Sequence, residues 1–168
     1  LIFGSINNYQ RDPVLSVSIL DINPSDFRAA IKSVENPDDL LPGNTNIEKA
    51  WNWFKSDAGG SYSAVAIAGM IGNFWVESFA SINNNDINPK AEQIGGGPGR
   101  GIAQWGDGAD GDRFSVLRER AGGFGLDPFT LLAQLIHVTY ELNGTEGYAK
   151  SRLIEARTPE EASDIFMA

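Results

Sequence analysis

From residue 47 to residue 74 the apolar positions fall at helical spacing. Ile47, Ala50, Trp51 and Phe54 stand at i, i+3, i+4 and i+7, the stripe of an amphipathic helix. DAGGSYS interrupts it, and Ser63 is placed to cap a second helix with Ile67, Met70, Ile71 and Phe74 as its inner stripe. Small residues flank that stripe, Ala66, Ala68 and Gly69, and permit close approach of a neighbouring element. The pattern ends near Glu77. A polar, glycine-rich stretch follows, SINNNDINPKAEQIGGGPGRG; an irregular segment of more than 20 residues inside a compact domain is ordinarily functional or disordered. Helical spacing resumes near Asp112, with Phe114, Val116 and Leu117 expected inside. Asp127 and Pro128 form an N-cap and N1 pair for a helix to about Leu142, which NGTEG breaks. Tyr148 to Ala156 reads as helix, and Thr158 to Glu161 as the capping box of a last one. The pattern predicts a mainly α fold of about six helices and one long loop.

Upstream the period changes. VLSVSIL (14–20) alternates Leu15, Val17 and Ile19 with serines, as a half-buried strand does. Ser25 is placed to cap a short helix carrying Phe27, Ala30, Ile31 and Val34 on one face. ENPDDLLPGNTN (35–46) has linker composition. Residues 1–44 therefore read as the tail end of a preceding module plus linker, and 45–168 as a helical domain. The chain opens on Leu and closes inside a helical pattern, ASDIFMA, so it reads as a piece of something longer, with the helical domain C-terminally incomplete.

Composition narrows the chemistry. In 168 residues there is no cysteine, which removes disulfides, thiolate metal sites and cysteine nucleophiles. Thirteen basic residues against 22 acidic ones give a net charge of −9, which argues against nucleic acid as a partner and against long-range attraction to any polyanion. No apolar run is long enough to span a bilayer.

Several motif matches fail on mechanism. GDGADG (106–111) fits the spacing of a dinucleotide turn but follows no strand and carries Asp107 and Asp110 where a pyrophosphate would sit. GGGPGRG (95–101) lacks the Lys-Ser/Thr of a phosphate loop. Asp107, Asp110 and Asp112 form an acidic cluster without EF-hand spacing; a solvated turn is the default, and a calcium-stabilised adhesion module rests on these residues alone. His137, the single histidine, has no nucleophile or acid at matching spacing and reads as structural. Without a catalytic imidazole, carboxylate chemistry remains. Glu77, between Phe74, Trp75 and Phe79, stands where an apolar setting favours the neutral acid, the form that donates a proton to a leaving oxygen. The plain alternative is an exposed residue past a helix end.

AGMIGNFWVES, then INPKA, then GPGRGIAQW, in that order, resemble the phage tail lysozyme domain of the lysozyme-like superfamily, related to goose-type lysozymes and soluble lytic transglycosylases. The Glu-Ser pair at the end of a helix is matched by Glu77 and Ser78. The family's Gly-hydrophobic-x-Gln turn is matched by Gly101 to Gln104, with Trp105 next. QLIHVTYELNG resembles the downstream helix, through Gln134, Tyr140 and Glu141. The resemblance covers about residues 46–168; the aromatic-Glu pair usual after the final IF segment has no counterpart before the last residue.

It implies a peptidoglycan muramidase or lytic transglycosylase of a virion tail, acting in the bacterial wall or periplasm, without a cofactor or metal. Other tail proteins, or further domains of a longer chain, would be its partners. Glu77 would be the general acid, and Ser78, Gln104, Trp105, Tyr140 and Glu141 would contact substrate. Asp107, Asp110, Asp112 or Glu141 would supply any second carboxylate. The rival reading is a non-catalytic structural or glycan-binding tail module.

Overall fold

A computed structural model describes residues 24–78, 85–108 and 112–167. The strand expected at 14–20 lies outside them. The described residues form a mainly helical domain. Helix α1 (Pro24–Lys32) and a 3-10 turn (Pro37–Leu40) precede α2 (Asn46–Lys55) and α3 (Ala64–Glu77). A two-stranded antiparallel hairpin, β1 (Gly99–Arg100) and β2 (Trp105–Gly106), follows, then α4 (Arg113–Phe124), α5 (Leu131–Asn143), α6 (Gly147–Glu155) and α7 (Pro159–Met167). No described helix is long and apolar enough to cross a membrane.

The core forms around α3. Its predicted stripe, Ile67, Met70, Ile71 and Phe74, is buried, and Ser63 caps it by accepting from the Ala66 N–H. Helix α7 packs along α3 at Gly69, where an added Cβ would lie 2.5 Å from Ala162 Cβ and 2.7 Å from the Ser163 nitrogen. Asn73, buried one turn later, donates to the carbonyls of Gly69 and Ser163. On α2 the buried indole is Trp53 rather than Trp51, because its Nε1 reaches Thr139 Oγ1 on α5 at 3.1 Å. On α4, Phe114, Leu117 and Ala121 face inward, whereas Val116 lies off that face and is 48% exposed. The hairpin and an isolated bridge between Glu92 and Arg100 give the long loop more order than its composition suggests.

Two helices begin in the same unusual way. The first four N–H groups of an α-helix have no partner within it. In α2, Thr45 serves Glu48 and Lys49, while Asp86, across the loop, accepts from Asn46 N at 2.7 Å and Ile47 N at 2.8 Å. In α5, Thr130 serves Ala133 and Gln134, while Asp38 accepts from Leu131 N at 3.0 Å and Leu132 N at 2.8 Å. Asp127, expected as the cap of α5, instead accepts from Phe129 N and closes a local turn, so the helix starts at Leu131.

Asp38 and Leu41 lie in the stretch read as linker, yet Asp38 finishes α5 and Leu41 is 2% exposed in the core. Arg28 of α1 also donates to the Gly123 carbonyl at the end of α4. Asp38→Ala is therefore expected to cost about 1–2 kcal/mol, and Leu41→Ala about 2–4 kcal/mol. A chain starting at Asn44 loses both contacts and should unfold at clearly lower urea than the full chain. Equal midpoints would show that the segment adds nothing.

Candidate active site

Glu77 is the last residue of α3, and the way that helix ends decides where it points. The Ser78 N–H bonds the Phe74 carbonyl at 2.9 Å, and Ser78 Oγ donates to the same oxygen at 2.5 Å. Ser78 Oγ also accepts from Asn88 N at 3.0 Å, pinning the returning loop to the helix end. Ser78 is thereby fully buried. It fastens the site from behind and lies outside the cleft lining, where the resemblance implied a contact with substrate. Glu77 stands exposed beside it, on the wall of a cleft of about 550 Å³. Its carboxyl is open at the cleft edge rather than enclosed by Phe74 and Trp75.

Across the cleft lies the GIAQ turn. Gly101 has φ +75°, and a Cβ on it would meet the Gln134 side chain at 2.8 Å. Gln134 is fully buried. Its Oε1 accepts from Ile102 N at 2.9 Å, and its Nε2 donates to the carbonyls of Pro89 at 2.6 Å and Pro128 at 2.9 Å. One amide thus joins the loop, the turn and the approach to α5. Gln104 follows at φ +49°, a region that costs a non-glycine side chain energy and that clusters at functional sites. Its Nε2 donates to Gly101 O at 3.0 Å, and its side chain, with that of Gln93, lines the cleft.

The other expected contacts fall differently. Trp105 borders the cleft but is only 2% exposed; its Nε1 donates to Glu141 Oε2 at 3.0 Å and its ring meets His137 edge-on. It packs as a core indole at the border of the cleft. Tyr140 lies outside the cleft lining, its ring covered by the Arg120 guanidinium at 3.9 Å. Glu141 does line the cleft, but Trp105 and Arg113 Nη2 (2.7 Å) hold it. Asp107 pairs with Arg118 at 3.4 Å, and Asp112 caps α4 by accepting from Ser115 N; neither lines the cleft. Asp110 lies outside the described residues. No three acidic or imidazole groups converge on a metal-sized site among the described residues.

The cleft also gathers residues that motif reading missed: Asn73, Gln93, Arg113 and Glu146. Arg113 carried one signal, since a cation at the first helical position opposes the helix dipole and needs another reason to be there. A second hollow, of about 330 Å³ between α3 and α7, is more open and lined by Ala68, Gly69, Gly72 and Pro159 with Glu160, Ser163 and Asp164.

His137 buttresses this wall from within. Arg120 Nε donates to its Nδ1 at 3.2 Å, so the ring proton sits on Nε2, which stands 3.6 Å from Oε1 of Glu141, an acid at i+4 on the same helix where the sequence reading expected none. Burial lowers its pKa to about 4, against the pull of Glu141 and with the aid of Arg120 and Arg113. An imidazole held neutral in the native state stabilises it fully above the unfolded value near 6.5, and that stability is lost as pH falls toward 4. The loss amounts to roughly 3 kcal/mol across the window. His137→Gln, which keeps an acceptor for Arg120, should flatten the pH dependence of urea stability between pH 6.5 and 4.5. An unchanged slope would remove His137 as its source.

The comparisons follow the same residues. No curated protein and no solved structure matches the chain. The family model described as phage tail lysozyme matches residues 45–168. That span takes in α2 to α7 and every cleft residue described here, and the chain belongs to the phage tail lysozyme family.

Proposed function

We propose that this domain cuts the glycan strands of peptidoglycan between N-acetylmuramic acid and N-acetylglucosamine, with Glu77 as the general acid. The observation that carries this is the convergence of Glu77 with Gln93 and Gln104 on one cleft in a member of a lysozyme family. The Gln104 carboxamide, both donor and acceptor, suits an N-acetyl amide. A bound glycan would cover the exposed Glu77, and exclusion of water favours the neutral acid that donates its proton to the glycosidic oxygen.

Two completions fit. An inverting hydrolase requires a second carboxylate roughly 6.5–9.5 Å away to activate water. A lytic transglycosylase requires none, since the muramyl C6 hydroxyl attacks within the substrate and its proton passes to the Glu77 carboxylate left by protonation of the leaving oxygen. Asp107 and Asp112 are committed elsewhere, which leaves Glu141 and Glu146 as the described cleft carboxylates available to a hydrolase. Mass spectrometry of digested peptidoglycan separates the routes: anhydro ends, lighter by one water, mark the transglycosylase. Binding without release of any fragment would leave the glycan-binding tail module instead.

The net charge of −9 fits a domain carried to the wall by a virion tail, where it opens a path during infection without electrostatic steering. We assign residues 1–44 to the end of a preceding module whose last stretch docks on the cleaving unit through Asp38 and Leu41.

A further inference from the structure

Among the described residues that line the cleft, Arg113 is the one cation; it pairs with Glu141 and Glu146 and shares the cleft with Glu77. Three features set it apart from a structural ion pair. It occupies the first position of α4, where the helix dipole disfavours positive charge, so local helix energetics do not explain it. Glu141 does not depend on it alone, because Trp105 Nε1 already donates to the other carboxylate oxygen. Its side chain is 58% exposed, and one Nη2 contact to Glu141 at 2.7 Å is its only hydrogen bond among the described residues; Glu146 lies farther off, at 3.7 Å.

A guanidinium carries five N–H donors in a planar fork that matches a carboxylate through two parallel bonds. Only the Arg113 end of this pair is open, Glu141 being 17% exposed, so an incoming carboxylate takes the unused donors of the fork while the bond to Glu141 stays. The cleft needs such a group. Its remaining charges are acidic, and a muramyl glycan bears acid groups of its own, on the lactyl ether or on the peptide attached to it. We infer that Arg113 is a specificity-determining residue that receives a substrate carboxylate, so that the cleft prefers a muramyl unit to a neutral N-acetylhexosamine. This rests on the glycan-cleaving reading, and its test is one of binding, so that the two fail separately.

The probe is a disaccharide of N-acetylglucosamine and N-acetylmuramic acid, titrated into the full chain carrying Glu77→Gln to prevent turnover. Three forms are compared: the free lactyl acid, its neutral methylamide, and the peptide-substituted form, whose only carboxylates lie on the peptide. At least one acid form should bind about tenfold more tightly than the methylamide, the size of one well-aligned charged contact. Whichever acid form shows the preference identifies the carboxylate source. Adding Arg113→Gln should abolish the difference while leaving methylamide affinity unchanged, and Arg113→Lys, which keeps charge without the fork, should retain part of it. Equal affinity for all three forms, no binding of any, or an equal loss for acid and amide in Arg113→Gln would overturn the inference; the last would assign Arg113 to holding Glu141. Should Arg113→Gln fail to fold, the Arg113→Lys comparison decides alone. Cleavage of peptidoglycan by the unaltered chain tests the wider reading independently.

Discussion

Glu77→Gln should lower the rate of peptidoglycan cleavage by at least ~100-fold, the low end of what a positioned general acid contributes. That corresponds to about 2.7 kcal/mol of lost transition-state stabilisation. The substitution preserves shape and hydrogen-bonding capacity and removes only the transferable proton. Stability should hardly move, because Glu77 is exposed and makes no hydrogen bond or ion pair with the described residues. The informative result is therefore the pair of readouts: fragment release from purified walls falls, and the urea midpoint stays. Retention of most activity would end the assignment of Glu77.

Gln134→Leu should act in the opposite way, through the fold. Leucine fits the volume but strands the buried Ile102 N–H and Pro89 carbonyl and the part-buried Pro128 carbonyl. Each orphaned buried group costs about 1–3 kcal/mol, so the sum, incompletely additive, is roughly 3–6 kcal/mol. A small domain has only about 5–15 kcal/mol in total. Gln134→Glu should also fail, since it sets carboxylate oxygens against two carbonyl oxygens. Urea unfolding reads the loss directly; a change under about 1 kcal/mol would mean that the loop and turn hold together without this amide.

What could be read from the sequence was what periodicity and local capping encode. Ile67, Met70, Ile71 and Phe74 announce α3 because a buried helix face repeats every three to four residues, and Ser63 marks its start through a bond only three residues long. Glu77 and Gln104 were identified by motif, and both reach one cleft. The departures from expected placement share a cause. Trp105, Tyr140 and Ser78 combine an apolar body or small size with a polar handle, and such residues serve a core or a binding surface equally well; only the three-dimensional partner decides. Glu141 and Asn88 hold Trp105 and Ser78 in the interior, and Arg120 covers a half-buried Tyr140. Asp127 was expected to cap α5, but the local turn took it and Thr130 caps the helix instead. Arg113 and Glu146 belong to no motif, and only folding brings them beside Glu77.

The remote aspartates have a consequence for how the domain opens. The amides of Asn46 and Ile47 are held by Asp86, and those of Leu131 and Leu132 by Asp38. Their shielding from solvent deuterium depends on segments distant in the chain, while the amides one turn further on depend on the helices themselves. Exchange at the first pair therefore times the undocking of the long loop, and exchange at the second times release of the amino-terminal collar. Both clocks run without unfolding α2 or α5, because local opening costs less than global unfolding. The chain thus carries two native reporters, one for each flap of the domain, that need no added label.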